Sequence, residues 1–269
     1  LAQMKGILKI HKKLPLLIAI PTTAGTGSET TLSAVITDSK TRHKYPINDF
    51  SLIPHYAVLD PEMTKTLPPT LTATTGMDAL THAIEAYIGR STTKETRKDA
   101  LEAIQLIFAN IEQAYQNGQD SNARKNMLQA AYLAGNAFSR SYVGYVHAVA
   151  HSLGGKYNTP HGLANAVLLP YVLEAYGSNI DPQLHQIACA LGLSNAKEDP
   201  KIGAKKMIAA IKKLADKLEI PHKIPKLQEQ DIPVLAYYAE KEANPLYPVP
   251  KLMDAKELEQ FYYDIMITG

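Results

Sequence analysis

Three histidines lie within fifteen residues of one another in the stretch VHAVAHSLGGKYNTPHGLANAVLLP, which covers residues 146–170. His147 and His151 stand four residues apart, so they project from one face of a helix, and His161 follows a turn that contains proline. The surrounding residues are small and apolar, and the first ten residues of the stretch contain no Lys or Arg. We therefore expect buried imidazoles, which need polar partners because an unpaired polar group away from water costs ~1–3 kcal/mol. A metal ion is one such partner.

A carboxylate and a further imidazole stand on an earlier helix. Asp78 and His82 are four residues apart, so both side chains project from the same helix face. Taken alone, this pair is typical of a surface contact, or of a carboxylate that complements the helix dipole. One carboxylate and up to three imidazoles suit Fe²⁺, Zn²⁺ or Mn²⁺, whereas the lack of thiolates argues against a structural zinc finger. Thr81, Glu85 and Asn158 are candidates to support such ligands, although structural roles fit them equally well.

A second candidate site is the loop PTTAGTGSETT, residues 21–31, which follows the apolar run LPLLIAI, residues 14–20. The run predicts a parallel-sheet strand that is covered on both faces. Six residues of the loop carry hydroxyls, and two glycines allow its backbone to approach a ligand closely. Open α/β sheets bind ligands at the carboxyl ends of their strands. The loop matches no phosphate-binding fingerprint, so a nucleotide-binding role and an ordinary turn both stay open.

Composition limits the classes of partner. The net charge is +2, from 28 basic and 26 acidic residues, which gives no electrostatic reason to expect nucleic acid or an anionic membrane surface. No apolar run reaches the ~18 residues that span a bilayer. The single cysteine, Cys189, excludes an intramolecular disulfide and fits a reducing compartment. We expect a soluble, cytoplasmic protein, and because the chain begins with Leu1 just ahead of the strand-like run, we also expect a segment upstream.

The pattern of apolar residues changes near residue 70. Before it, short strands are predicted at residues 32–38, 44–46 and 56–59. After it, helical periodicity predicts helices over residues 70–88, 94–116, 122–139, 145–156, 161–176, 182–191, 200–218, 232–242 and 254–266. We therefore predict a boundary near residue 70, with an active site in the cleft between two domains. Residues beyond 177 show no pattern that indicates chemistry and are predicted to be scaffold.

Four segments together resemble the iron-containing, or group III metal-dependent, alcohol dehydrogenases. They are PTTAGTGSE, KYPINDFSLIPHYAVLDP, GMDALTHAIEAY and HAVAHSLGGKYNTPHGLANAVLLP, in the order of the family, and the resemblance covers nearly the whole chain. It implies a dehydroquinate synthase-like architecture: residues 1–69 form the trailing part of an α/β dinucleotide-binding domain, and residues 70–269 an all-helical metal-binding catalytic domain. Family members begin with a Gly-Gly-Gly-Ser pyrophosphate loop, which is absent here, so the chain resembles an amino-terminally shortened member.

The resemblance assigns the metal ligands. It implies that Asp78, His82, His147 and His161 hold Fe²⁺ or Zn²⁺. His151 stands in the position of an additional histidine of the family, which implies a proton-relay role near the nicotinamide instead of metal ligation.

The resemblance also implies a nicotinamide cofactor, NAD or NADP. The hydroxyl loop lies along the nicotinamide side of that cofactor in the family, so Thr22, Thr23, Thr26 and Ser28 are cofactor candidates, and Lys44 resembles a lysine that reaches the ribose. The implied activity is NAD(P)-dependent hydride transfer between a small primary alcohol, or diol, and the nicotinamide. In it the metal polarises the alcohol or aldehyde oxygen. The family expectation is a homodimer.

Two alternatives stay open at this stage. Sugar-phosphate cyclising synthases share this architecture and a related metal site, which makes a metal-dependent lyase or cyclising synthase the first. Such enzymes present clustered Lys and Arg to an acidic substrate, whereas the metal-site stretch holds only Lys156, which favours a small neutral substrate. The second alternative is a truncated, catalytically inactive subunit.

Overall fold

The computed structural model describes residue 4, residues 6–37 and residues 44–267. Short strands precede α-helices along this part of the chain. The strands are β1 (Gly6–Ile7), β2 (Ile18–Ala19), β3 (Ser33–Thr37), β4 (Lys44–Asn48) and β5 (Tyr56–Ala57). The helices are α1 (Pro69–Ile88), α2 (Lys94–Gln116), α3 (Ser121–Ser141), α4 (Tyr145–Tyr157), α5 (His161–Tyr176), α6 (Asp181–Ala190), α7 (Pro200–Lys217), α8 (Ile232–Ala243) and α9 (Ala255–Ile265).

The strands form two small sheets. In the first, with the order β1-β4-β3, β1 runs parallel to β4 and β3 runs antiparallel to it. In the second, β2 and β5 pair in parallel. The strands predicted after residue 31 are confirmed with small shifts in their bounds, although residue 38 lies outside the described residues. An α/β part therefore precedes a helical part, as predicted, whereas the division into domains at residue 70 stays a prediction.

The apolar run at residues 14–20 differs from the prediction of a strand covered on both faces. Only Ile18 and Ala19 are in strand conformation, and the side chains of Leu16, Leu17, Ile18 and Ile20 are 48–63% exposed. The physical reason is that β2 pairs with β5 alone and, within the described part of the chain, no second layer covers these side chains.

The predicted helices are confirmed, with bounds that agree within two residues. Local capping contributes to this agreement at several helices, where side-chain oxygens satisfy free N–H groups at the helix start. Thr93 and Asp199 cap α2 and α7 in this way, and Asp254 and Glu257 form a capping box at α9. Over the described residues, no helix has both the length and the apolar character needed to cross a membrane.

Helix α1 lies at the centre of the helical part. Every residue from Gly76 to Ile88 is buried, and α1 packs against α2, α3 and α5. A helix that is enclosed on all sides carries its polar side chains into the core as well. Asp78, His82 and Glu85 are therefore interior groups, and their burial demands polar partners from neighbouring helices.

Glycines bring the hydroxyl loop, residues 21–31, against two helices. A Cβ atom placed on Gly27 would lie 2.6 Å from Cα of Gly135 in α3, and one placed on Gly25 would lie 2.7 Å from Cβ of Thr75 in α1. Gly27 also has φ of +56°, which side chains disfavour. The loop backbone thus contacts the helix that carries Asp78, one turn before that residue.

We predict that Gly135→Ala lowers the free energy of unfolding by about 1–3 kcal/mol, because overpacking at this contact displaces the loop. The matched control is Gly155→Ala in α4, where, apart from the two chain neighbours and the backbone of the helix itself, no atom of the described residues lies within 4 Å of the added Cβ. Replacing a helical glycine with alanine there is expected to stabilise by roughly 0.5–1 kcal/mol. Urea unfolding followed by circular dichroism measures both variants, and an unchanged stability of Gly135→Ala would contradict the proposed close packing.

Candidate metal centre

Four side chains from three helices converge in the helical part. Asp78 and His82 come from α1, His147 from α4, and His161 is the first residue of α5. One ligand atom of each lies within 4.8 Å of all the others. Oδ1 of Asp78 is 3.9 Å from Nδ1 of His82, 3.7 Å from Nε2 of His147 and 3.5 Å from Nε2 of His161. The structure thus brings together the four residues that the resemblance assigns as ligands.

The spacing and the unpaired atoms of this cluster fit a divalent metal. Ligand atoms ~2.1 Å from one ion at tetrahedral angles are roughly 3.4 Å apart, close to the separations from Asp78. Nδ1 of His82 and Nε2 of His147 are buried and have no hydrogen-bond partner among the described residues. Buried polar atoms without partners are costly, and a bound cation would satisfy both. The role of the four residues as ligands stays a prediction.

The carboxylate of Glu85 contacts the ring of His147 at the nitrogen opposite the one that faces Asp78. The Glu85 carboxylate lies 2.6 Å from Nδ1 of His147 and accepts hydrogen bonds from the backbone N–H groups of Gly144 and Val146, at 2.8 and 2.9 Å. A carboxylate at Nδ1 keeps the proton on that nitrogen and fixes the orientation of the ring. Nε2, on the other side of the ring, is therefore the atom that faces Asp78. This is the supporting role that the sequence allowed for Glu85.

Asn165 is a member of the site that sequence reasoning missed. Its Nδ2–H₂ group donates to Oδ1 of Asp78 at 2.7 Å and lies 3.1 Å from Nε2 of His161, one helical turn earlier on α5. The side chain is fully buried. Its position four residues after His161 was the available signal, because i and i+4 residues share a helix face. Thr81, a candidate for support, instead donates to the carbonyl of Met77 in its own helix.

Burial and neighbouring charges shift the pKa values of the cluster residues in opposite directions. Burial raises the pKa of Asp78, but the nearby imidazoles outweigh burial and lower the pKa of its carboxyl. Burial lowers the pKa of His82 to about 3 and that of His161 to about 4, although Asp78 opposes both shifts. Burial also opposes protonation of His147, but Glu85 and Asp78 together outweigh it and raise its pKa to about 9. A metal ion held by this cluster would therefore compete with a proton on His147.

Aromatic stacking encloses the buried side of the cluster. The ring of His82 stacks on Phe138 at 4.2 Å and on His147 at 4.4 Å between centroids. Phe138 lies one turn after Gly135, the residue against which the hydroxyl loop packs. The hydroxyl loop and the cluster therefore both contact α1 and α3, at positions one turn apart on each helix.

His151 lies beside the four-residue cluster, outside it. Its ring stacks on that of His161 at 5.2 Å and is 6.0 Å from that of His147, and its side chain is 43% exposed. Nδ1 of His151 lies 2.6 Å from Oε1 of Glu242 on α8, within the region that the sequence predicted to be scaffold. His151 therefore lies at the solvent-accessible margin of the site.

The candidate cofactor residues occupy the hydroxyl loop and β4. Thr22, Thr26 and Ser28 are exposed and Thr23 is half-buried, so their hydroxyls are accessible to a ligand. Lys44 begins β4, but its side chain lies outside the described part of the structure. Asn158, a candidate for support, ends α4 in the left-handed conformation with φ of 55°, which is a structural role.

Two family models match the chain. Residues 72–266 match the model described as the Fe-containing alcohol dehydrogenase family, C-terminal, and residues 2–61 match the model described as iron-containing alcohol dehydrogenase.

Named relatives and solved structures agree with these matches. The 1,3-propanediol dehydrogenase of Klebsiella pneumoniae is 42% identical over 247 residues, which cover 91% of this chain and 64% of that protein. A crystal structure of 1,3-propanediol oxidoreductase is similar with a TM-score of 0.95 and 38% identity, covering 99% of this chain and 70% of that one. Sulfoacetaldehyde reductase from Bifidobacterium kashiwanohense in complex with NAD⁺ has a TM-score of 0.86 and 28% identity, covering 100% and 69%. These neighbours confirm the predicted architecture, and the chain spans 64% of the length of the Klebsiella relative.

We predict that Asp78→Ala and His161→Ala abolish stoichiometric Zn²⁺ or Fe²⁺ binding, because each removes one of four converging donors. Glu85→Gln is expected to weaken metal affinity about 10–100-fold, the usual effect of losing the carboxylate behind a ligating histidine. Competition with a chromophoric chelator measures all three variants.

The matched control for Glu85 is Glu95→Gln, since Glu95 is exposed on the first turn of α2. Its metal affinity is expected to equal that of the unmodified chain. Undiminished binding by Asp78→Ala would show that the cluster is not the metal site.

Proposed function

Because this chain belongs to the iron-containing alcohol dehydrogenase family, we propose that it forms the metal-binding part of an NAD(P)-dependent alcohol dehydrogenase acting on a small primary alcohol or diol. The observation that carries this proposal is the convergence of Asp78, His82, His147 and His161 around one point in the helical core. The name of the Klebsiella relative, a 1,3-propanediol dehydrogenase, supports propane-1,3-diol as the first substrate to test.

In this proposal the residues of the metal site have separate roles. A divalent ion, Fe²⁺ or Zn²⁺, and a nicotinamide supply Lewis-acid polarisation of the substrate oxygen and a hydride acceptor. Asp78 and the three imidazoles hold the ion, and Glu85 and Asn165 orient them. The stacked ring of Phe138 excludes water from the buried side of His82.

His151 is the proposed proton-handling residue. Imidazoles are the most frequent general acids and bases in enzymes, so this ring is suited to take the alcohol proton and release it to water. Its position supports this role, because its ring stacks on His161 while its side chain remains 43% exposed. A proton accepted by His151 therefore has a short route to solvent.

The hydroxyl loop is the proposed cofactor contact. Thr22, Thr23, Thr26 and Ser28 are accessible, and the loop backbone packs one turn from Asp78 and from Phe138. Lys44 completes the proposed set through the ribose. NAD is the first choice of cofactor because one similar structure contains NAD⁺, and NADP is the alternative.

The proposal extends to assembly and location. We expect a homodimer in the cytoplasm that works on a small alcohol or aldehyde without nucleic acid or membrane partners. The near balance of 28 basic and 26 acidic residues supports the expected lack of nucleic acid and membrane partners. The single cysteine supports the expected reducing compartment.

The arrangement of charge disfavours a cyclising synthase that acts on sugar phosphates. Lys156, the single lysine of the metal-site stretch, forms an ion pair with Asp231 at 3.2 Å. The ammonium group of Lys156 is thus paired with a carboxylate at the start of α8. This pairing favours a neutral substrate over an acidic one.

We predict aldehyde formation with concomitant reduction of NAD⁺ when ethanol, butanol or propane-1,3-diol is supplied to Fe²⁺-loaded or Zn²⁺-loaded protein. The assay uses the chain alone and, in parallel, the full-length Klebsiella relative with this chain in place of the residues that it matches. A chelator is expected to abolish turnover. Absence of turnover in both forms despite bound metal would exclude the dehydrogenase and support an inactive subunit.

We predict that His151→Ala leaves metal affinity within about threefold of the unmodified chain, because this ring is not one of the four converging ligands. Its turnover is expected to fall roughly 10²-fold or more, the usual contribution of a general acid or base. Chelator competition and initial rates measure the two effects. Loss of metal from His151→Ala would show that the wrong histidines are assigned as ligands.

A further inference from the structure

Both histidines of α4 have Nδ1 against a glutamate carboxylate. Nδ1 of His147 lies 2.6 Å from Oε2 of Glu85, and Nδ1 of His151 lies 2.6 Å from Oε1 of Glu242. The first glutamate comes from α1 and the second from α8. A neutral imidazole carries one N–H and a carboxylate can only accept, so each contact selects the form protonated at Nδ1.

The opposite nitrogens have different surroundings. Nε2 of His147 faces Asp78 at 3.7 Å. In the described portion of the chain, Nε2 of His151 has no hydrogen-bond partner, so its lone pair is available to a substrate or cofactor hydroxyl. A general base must present such a lone pair to the proton that it removes.

Tyr247 and a second attachment hold Glu242 in place. The hydroxyl of Tyr247 donates to Oε1 of Glu242 at 2.7 Å, so this one oxygen receives two contacts. Two residues after Glu242, Oδ1 of Asn244 accepts from the hydroxyl of Tyr145 at 2.7 Å. Tyr145 and His151 lie on the same helix, so the end of α8 is attached to α4 at two points.

The contact between His151 and Glu242 is important for the orientation of the His151 ring more than for the stability of the fold. The side chains of His151 and Glu242 are 43% and 35% exposed, and ion pairs in such positions contribute little to stability. A single carboxylate contact nevertheless decides which ring nitrogen carries the proton and where the other nitrogen points. Stacking on His161, with 18° between the ring planes, constrains the plane of the His151 ring.

We propose that Glu242 is a positioning residue for His151, holding Nδ1–H so that Nε2 is the proton acceptor, and that Tyr247 fixes Glu242. Glu242 acts through His151, and among the described residues its carboxylate makes no hydrogen bond to any of the four candidate metal ligands. The catalytic consequence rests on the proposed function, whereas the structural part, the tautomer of His151, is independent of it.

The first test is ¹H–¹⁵N correlation spectroscopy of the histidine rings in the Zn²⁺-loaded chain, with His151→Ala identifying the signal. The expected spectrum of the unmodified chain is that of an imidazole protonated at Nδ1. Glu242→Leu, which has no acceptor, is expected to populate both tautomers of His151. Glu242→Gln keeps an acceptor oxygen and is expected to restore the Nδ1–H form. Glu240→Leu, two residues earlier on α8, is the matched control and is expected to leave the spectrum unchanged.

The second test is kinetic and uses the form of the protein that turns over. Glu242→Leu is expected to lower kcat about 10-fold or more with unchanged metal affinity and little change in KM, and Glu242→Gln to recover part of the loss. Tyr247→Phe is expected to give a smaller decrease, whereas Tyr238→Phe, an exposed tyrosine of α8, is expected to match the unmodified protein.

The two tests separate the two proposals. A His151 spectrum that is the same in Glu242→Leu and in the unmodified chain would overturn the positioning role, whether or not the protein is active. Loss of metal from Glu242→Leu would also overturn it, since Glu242 would then support the ligand cluster itself. Absence of turnover in the unmodified protein, together with the expected change of tautomer, would overturn the dehydrogenase proposal alone.

Discussion

The buried carboxylate of Asp78 is the constraint on which the rest of the site depends. Its side chain is 2% exposed in the core of a helical bundle, where an unpaired charge is very unfavourable. Asn165 donates to it directly, and three imidazoles surround it at 3.5–3.9 Å. These partners come from α1, α4 and α5, so the three helices must meet at one point to satisfy one carboxylate. The convergence of three helices that forms the candidate metal site thus also lowers the free-energy cost of burying Asp78.

The same packing places the cluster close to the hydroxyl loop. Helices α1 and α3 each contribute a small or polar residue, Thr75 and Gly135, to which a loop glycine fits closely. One turn further along each helix are Asp78 and Phe138, the residues that form and enclose the cluster. An α-helix rises ~1.5 Å per residue, so three residues place the loop within ~5 Å, measured along the axis, of Asp78 and Phe138. The loop and the candidate metal site therefore contact neighbouring turns of the same two helices.

Local patterns carried most of what the sequence could predict. The i, i+4 pairs were visible because helix geometry fixes which residues share a face, and the helix bounds followed from the helical periodicity of apolar residues. Contacts between distant segments left no comparable signal: Glu85 and His147 are 62 residues apart, and His151 and Glu242 are 91 apart. The run at residues 14–20 misled for another reason. An apolar segment indicates that burial of its side chains would be favourable, but not whether the described part of the chain supplies residues to bury them. Here the side chains remain exposed.

The two histidines of α4 are proposed to have two different functions on one helix. Four residues advance a helix by ~6 Å and rotate it by roughly 40°, so His147 and His151 share a face but differ in depth. His147 is almost fully buried and lies between two carboxylates, whereas His151 emerges at the surface with its ring 6.0 Å away. Each has its Nδ1 against a glutamate from a different helix, which leaves Nε2 as the nitrogen proposed to act in both. The proposed metal ligand and the proposed proton-handling group therefore differ in burial and in the group that Nε2 faces, since the residue type, the helix and the type of partner at Nδ1 are the same.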